Sequence, residues 1–313
     1  MTRPRRAGLF ALALLGILAL CVLAPGPAGA LTEAPRNVLT AGEAVVLGVV
    51  EGITEYLPIS STGHLLVAGR IMDLPTSGAA GDAVKSYDVA IQAGAILAVL
   101  LLFRRRIRAM IEGLLGRSAE GRKVLLAVLV AFVPAAVVGV ISEKVIKDVL
   151  FGTWPVLIAW AVGGVAIIVM SRNGMIAGHS GRPLEAITNR DALMIGAAQV
   201  LALWPGTSRS LVTIVAALLL GFSMPAAVEF SFLLGLVTLG AATAYETLTS
   251  GKTMLDSLGL GVPVLGVVVA FAAAAASVAW MVGYLKRHDL QVFGWYRIAV
   301  AALVVVLLAA NVI

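Results

Sequence analysis

Apolar runs long enough to cross a bilayer fill most of this chain, and that property limits its fold more than any other. The runs fall at about residues 86–103, 123–141, 153–171, 225–246, 261–285 and 294–312. Each approaches the roughly 20 apolar residues that a helix needs to span about 30 Å of hydrocarbon. Charged residues make up 13% of the 313, about half the share found in an ordinary soluble domain, and the mean hydropathy is +1.01. Thirty-three glycines and long Ala/Val/Leu runs favour closely packed helices. A membrane β-barrel would instead alternate polar and apolar residues along short strands. The expected class is an all-α polytopic membrane protein with six transmembrane helices.

Two further apolar segments are interrupted by polar residues. The first runs from Ala44, meets Glu51 and Pro58, and resumes from Leu65 to Met72; its centre reads EGITEYLPISSTGH, Glu51 to His64. The second runs from Ala192 to Leu203, breaks at WPGTSRS and resumes from Leu211 to Leu220. Neither half of either segment is long enough to cross alone. Two short helices around a Pro/Gly-containing break predict a re-entrant hairpin, whose non-helical backbone is tolerated only where protein or a water-filled cavity covers it. The full expectation is therefore six transmembrane helices plus two re-entrant helical hairpins.

Charge placement orients this arrangement. The formal net charge is +6 and the sequence pI about 9.8, but the basic residues lie in loops between apolar runs. That pattern indicates topology, not nucleic acid. Arg104, Arg105, Arg106, Arg108, Arg117, Arg122 and Lys123 crowd one loop, and Arg172, Arg182 and Arg190 another. Both are expected on the cytoplasmic side, so the first hairpin enters from outside and the second from the cytoplasm.

Residues 1–30 join a basic start (Arg3, Arg5, Arg6) to an apolar run and the small residues Ala28-Gly29-Ala30. They fit a signal peptide cleaved after Ala30, or a retained N-terminal anchor. Residues 31–313 then form a single integral-membrane domain. The single cysteine, Cys21, excludes an intrachain disulfide and any cysteine-based metal cluster.

The two broken segments resemble one another. Gly48 and Glu51 pair with Gly196 and Gln199, and Pro58-Ile59-Ser60-Ser61 with Pro205-Gly206-Thr207-Ser208. Downstream, Asp88 and Gly94 match Glu229 and Gly235. Three spans follow each hairpin, so the halves, about 41–171 and 191–313, would form an inverted repeat. Such repeats bring their broken helices together near the bilayer midplane.

The breaks hold unusual chemistry for that depth, where each ionisable side chain costs roughly 2.5–3.5 kcal/mol to insert. Glu51 and Glu55, four residues apart, share a helix face, and two carboxylates there persist ionised only with a cation or a shared proton. Their hard oxygens suit a divalent cation, Mg²⁺ or Ca²⁺, that also binds substrate phosphate. Ser60, Ser61 and Thr62 lie where a helix N-terminus offers unpaired amides to an anion. They also fit plain helix capping. His64 is a candidate general acid or base. Arg209, between Ser208 and Ser210 and one turn before Thr213, suits bidentate phosphate recognition. Carboxylates facing an anion-binding arginine make sense if a cation bridges them to phosphate, which points to phosphoryl transfer. A transporter would share the broken-helix architecture but would not need paired glutamates, a histidine and a cation as one unit.

The two stretches, EGITEYLPISSTGH and LALWPGTSRSLVTI, closely resemble the signatures of the undecaprenyl-diphosphate phosphatase, or bacitracin-resistance, family. The resemblance covers about residues 40–313. It departs from the family pattern at Tyr56, which replaces phenylalanine, at Thr207, which replaces an aromatic residue, and at Leu211-Val212, which replaces a small pair. The resemblance implies an enzyme that removes the terminal phosphate of undecaprenyl diphosphate, giving the monophosphate carrier lipid used in peptidoglycan synthesis. It implies dependence on a divalent cation and a site opening to the extracytoplasmic face of the bacterial cytoplasmic membrane. Carried over by position, the implicated residues are Glu51, Glu55, Ser61, His64, Ser208, Arg209 and Thr213. The expected partners are the lipid substrate and membrane lipids, and the sequence admits a homodimer without specifying one.

Overall fold

The long apolar runs fold as helices that pack through glycine rather than through bulky side chains. The computed structural model describes residues 38–312 except residue 179, so the leader or anchor expected at 1–30 lies outside the described residues. The helices are α1 (Ala41–Thr54), α2 (Ser61–Ile71), α3 (Gly78–Leu102), α4 (Arg104–Leu114), α5 (Ala119–Val145), α6 (Thr153–Arg172), α7 (Asn189–Gln199), α8 (Arg209–Leu219), α9 (Met224–Leu258), α10 (Gly261–Leu285) and α11 (Gln291–Ala309). Six of them (α3, α5, α6, α9, α10 and α11) are long and apolar enough to cross a membrane. The chain is an all-α, multi-pass membrane protein.

Two differences from the expected spans have clear causes. The arginine-rich loop after α3 is largely helical, because Arg104–Leu114 is amphipathic and lays Met110 and Gly113 against α5. Helix α9 runs to Leu258, well past the expected end near 246, through a polar stretch that keeps helical periodicity and buries Gly251 and Met254.

Four of the short helices form two packed pairs, α1 with α2 and α7 with α8. Both pairs begin with a capping box. The Thr40 hydroxyl accepts from Glu43 N and the Glu43 carboxylate from Thr40 N, and Thr188 and Asp191 repeat the exchange. This satisfies amides that the first turn leaves free. The α7–α8 pair ends close to where it starts. Arg182 N donates to Gly221 O (2.8 Å), Ser223 N to Arg182 O (3.0 Å), and the Arg182 guanidinium to Asp191 (2.7 Å). On the other pair, Leu39 before α1 and Leu74 after α2 share one apolar cluster.

Long helices clamp these pairs from outside. Helix α10 packs on α1 and α3, α5 on α7, α9 on α3 and α8, and α11 on α6. The α1–α10 contact is backbone-close. A Cβ on Gly52 would lie 2.7 Å from Ala273 Cβ and 2.9 Å from Ala274 N, and one on Gly48 would lie 2.8 Å from Gly266 O. Small residues four apart are how membrane helices approach this closely, since lipid offers no hydrophobic drive to association.

At one end, the Arg106 guanidinium donates to Glu229 (2.7 Å), Glu120 (2.6 Å) and Glu185 (2.6 Å), tying α4, α5, α9 and the 182–188 loop together. Glu185 accordingly titrates below the usual carboxylate range, its own backbone amide and Arg106 both favouring the charged form.

Gly52→Val should therefore cost more than the roughly 1–3 kcal/mol typical of overpacking, because the obstruction is backbone. The check is thermal unfolding in detergent, and an unchanged midpoint would show that α1 and α10 can separate freely.

Candidate active site

Both breaks are built by the same backbone device. Ser60 precedes α2 at φ 71°, ψ 105°, and Ser208 precedes α8 at φ 76°, ψ 113°. Non-glycine residues rarely adopt such angles, which cost on the order of 1–3 kcal/mol and cluster at functional sites. The matched geometry sets Ser60 against Ser208, one residue away from the sequence pairing of Ser60 with Thr207. The breaks also touch. Ser210 Oγ donates to Leu57 O (2.9 Å), and Ser208 Oγ lies 3.5 Å from the same carbonyl.

The fold brings the charged groups of the two breaks together. Arg209 Nη2 donates to Glu55 Oε1 (3.2 Å), and Ser61 Oγ donates to the other Glu55 oxygen, Oε2. One carboxylate thus joins the hydroxyl of the first break to the guanidinium of the second. Arg209 Nη1 also donates to Ser231 O (2.9 Å), and its guanidinium lies over the Tyr56 ring. Gly235 makes room for it, since a Cβ there would lie 2.6 Å from Arg209 Nη2. Arg209 Nε has no hydrogen-bond partner.

Glu51 is a fully buried carboxyl group. Neither of its carboxylate oxygens has a hydrogen-bond partner, and Ser61, its neighbour, gives its hydrogen to Glu55. A buried, unpaired carboxylate is among the costliest arrangements a protein can hold. Its oxygens, next to Glu55, fit a cation. Among the described residues no set of three or more His, Cys, Asp or Glu side chains is grouped to enclose a metal ion. The donor set therefore fits an ion that takes its remaining oxygens from substrate or water, as Mg²⁺ and Ca²⁺ do.

A cavity of about 180 Å³ opens against these groups, ample beside the roughly 15 Å³ that one water requires. Glu55, Ser60, Ser61, Thr62, Ser208 and Arg209 line it, together with Gln92, Gln199 and Thr238. Four expected site residues lie behind this lining: Glu51, buried next to Glu55, and Ser210, Thr213 and His64, whose polar atoms are engaged elsewhere. Ser210 bonds Leu57 O, and the Thr213 hydroxyl lies against Arg209 O (2.9 Å) and Ser231 Oγ (2.7 Å). His64 has both ring nitrogens engaged, Nδ1 with Ser60 O (2.6 Å) and Nε2 with the Tyr296 hydroxyl (2.9 Å), so the group touching the Ser61 hydroxyl is Glu55, not His64.

Arg297 is the residue that sequence reasoning missed. It is 1% exposed and meets no carboxylate. Its guanidinium, which carries five N–H groups, faces five backbone carbonyls: Ala159 (2.8 Å), Gly206 (2.9 Å), Thr207 (3.2 Å), Pro58 (3.4 Å) and Trp160 (3.4 Å). These belong to both breaks and to α6. Trp160 Nε1 adds a bond to Ile59 O (2.9 Å). The clue was present in the sequence, because Arg297 is the one charge within the run 294–312.

Fold and site together define a polytopic helical membrane protein with a polar chamber between two broken helix pairs, equipped to handle an anionic group within an apolar body. The comparisons sharpen that class: residues 44–303 match the family described as bacitracin resistance protein BacA, and the chain belongs to that family. A protein of Sorangium cellulosum named undecaprenyl-diphosphatase is 46% identical over 84% of each chain. The undecaprenyl-diphosphatase 1 proteins of Burkholderia lata and Paraburkholderia xenovorans are 44% and 42% identical. They match over 82% and 85% of this chain and 91% and 94% of their own lengths.

Arg297→Ala should leave the break carbonyls of Pro58, Gly206 and Thr207 without their donor, at about 1–3 kcal/mol for each group buried and unpaired, and most of the folded protein should be lost. Arg297→Lys, with three donors, should restore part of it. Melting curves of the two variants in detergent provide the measurement, and a native-like Arg297→Ala would remove the carbonyl cage as the element holding the breaks together.

Proposed function

We propose that the protein hydrolyses the terminal phosphate of undecaprenyl diphosphate to give undecaprenyl phosphate, recycling the cell-wall carrier lipid and conferring bacitracin resistance. Family membership and the names of its relatives support this reading. The observation that carries it is the chain of contacts Ser61–Glu55–Arg209, which sets a hydroxyl, a proton acceptor and an anion-binding cation at one cavity wall.

In this reading Ser61 Oγ attacks the terminal phosphorus while Glu55 Oε2 takes its proton. The bond from phosphorus to the bridging oxygen breaks, and its electron pair leaves with the lipid phosphate, which collects that proton. Arg209 offsets the charge on the transferred group. Water then attacks the phosphoserine and gives its proton to Glu55, which returns it to Ser61 Oγ as inorganic phosphate departs. A divalent cation held by Glu51 and Glu55 would supply neutralisation of the diphosphate charge. Ser60, Thr62 and Ser208 bind phosphate oxygens. His64, Ser210 and Thr213 hold the two breaks in shape.

The α1–α2 and α7–α8 pairs are taken as re-entrant hairpins of an inverted repeat in the bacterial cytoplasmic membrane. The arginine-rich end lies in the cytoplasm and the chamber opens to the extracytoplasmic side. The lipid tail leaves along α5, where Val137, Val140 and Ile141 are exposed near the cavity-lining Ala135, and past exposed Leu201 and Trp204.

Purified protein should release phosphate from a polyprenyl diphosphate with Mg²⁺ and stop with EDTA. No release with metal present would remove the enzymatic reading in favour of a carrier. Glu55→Gln and Arg209→Ala should each lower kcat/KM by roughly 100-fold or more, on the scale of a lost proton acceptor or charge clamp. A trapped phosphoserine in a slowed variant supports Ser61 as nucleophile, whereas labelled water entering phosphate in one turnover without any intermediate would assign the attack to water.

A further inference from the structure

Gln199 ends α7 at the cavity wall and takes part in none of the chemistry above. It is 2% exposed, and its Nε2 has no hydrogen-bond partner. Its other amide atom, Oε1, lies 3.4 Å from Thr238 Oγ1, whose hydroxyl also bonds Leu234 O (2.9 Å). A primary amide carries two N–H donors. Whichever way it is turned about Thr238, at least one donor is left without a partner. Burying such a donor is costly unless something the protein does not itself supply accepts from it.

Position narrows what that acceptor is. Gln199 stands to α7 as Glu51 stands to α1. Each follows a glycine by three residues, and each glycine abuts a long helix, Gly48 against Gly266 O of α10 and Gly196 against the Ala131 backbone of α5. Both side chains are buried with unpaired polar atoms, but with opposite chemistry. Glu51, when ionised, offers only acceptors, which suits a cation, whereas the Gln199 amide offers free donors without charge, which suits an anion. On α9, Gly235 lies under the Arg209 guanidinium, and Thr238, which holds Gln199, follows three residues later. That is roughly 4.5 Å along the helix, enough separation for the guanidinium and the amide to meet different phosphates of one diphosphate.

We propose that Gln199 Nε2 donates to the phosphate that stays on the lipid, making it a specificity residue for a lipid-bound phosphate over inorganic phosphate. The inference rests on the proposed hydrolysis, with Ser61, Glu55 and Arg209 taking the terminal phosphate.

The test uses the full chain in detergent with two probes, farnesyl monophosphate and inorganic phosphate, each titrated as an inhibitor of polyprenyl-diphosphate hydrolysis. Gln199→Met keeps the volume and removes the donors. It should weaken farnesyl monophosphate by about tenfold or more, the scale of one hydrogen bond to a charged group, and leave inhibition by inorganic phosphate unchanged. Gln199→Glu, of the same size but carrying a like charge, should weaken it further. Should either variant melt below the native chain, the other carries the comparison. Equal weakening of both probes, or native inhibition by farnesyl monophosphate in a folded variant, would overturn the assignment. If the unaltered chain releases no phosphate, the proposed hydrolysis itself fails; if it does and Gln199→Met behaves as native, only the role of Gln199 fails.

Discussion

Glu55 is held on both of its carboxylate oxygens. It takes the Ser61 hydroxyl on one oxygen and the Arg209 guanidinium on the other, so the two breaks are coupled through a single group. The contact is formed by residues 154 positions apart in sequence, and it closes only if the α1–α2 and α7–α8 pairs meet tip to tip. The glycine-lined seams of α1 with α10 and of α7 with α5 set that meeting. Packing without side chains is thus what permits the site, because a wider helix spacing would part Glu55 from Arg209.

Two arginines serve the breaks and use their donors differently. Arg297 spends all five N–H groups on backbone carbonyls, and this makes it a strut. Arg209 leaves Nε unpaired and borders the cavity, so it can answer a ligand. The difference follows from position. Arg297 enters from α11 behind the breaks, where only main chain is within reach, whereas Arg209 opens α8 at the cavity wall.

Hydropathy made the six crossing helices legible, and the cost of charge in hydrocarbon singled out Glu51, Glu55 and Arg209. Both signals are local and survive without knowledge of the fold. Which hydroxyl faces the chamber was not legible, since Ser208 and Ser210 look alike in sequence yet one lines the cavity and the other turns to Leu57 O. That choice depends on the positive φ at Ser208, and no side chain in the motif announces it. Arg297 could have been found by applying to the last span the same cost argument used for the first break. His64 read as a proton carrier because of its neighbours in sequence, while its nearest partners in space, Ser60 O and Tyr296, come from its own turn and from α11.

The pairing of Glu51 with Gln199 suggests why two similar halves can produce an asymmetric site. Two carboxylates at these matched positions would hold cations and repel a diphosphate, and two amides would leave its charge without a cation holder. On the proposed reading, one of each would set a cation holder behind Glu55 and an anion donor at the cavity lining. A diphosphate ester is itself asymmetric, with one phosphate to be removed and one to be kept, so a chamber polarised in this way can bind it in only one direction. That orientation would bring the terminal phosphorus to Ser61 and leave the tail pointing toward the exposed face of α5.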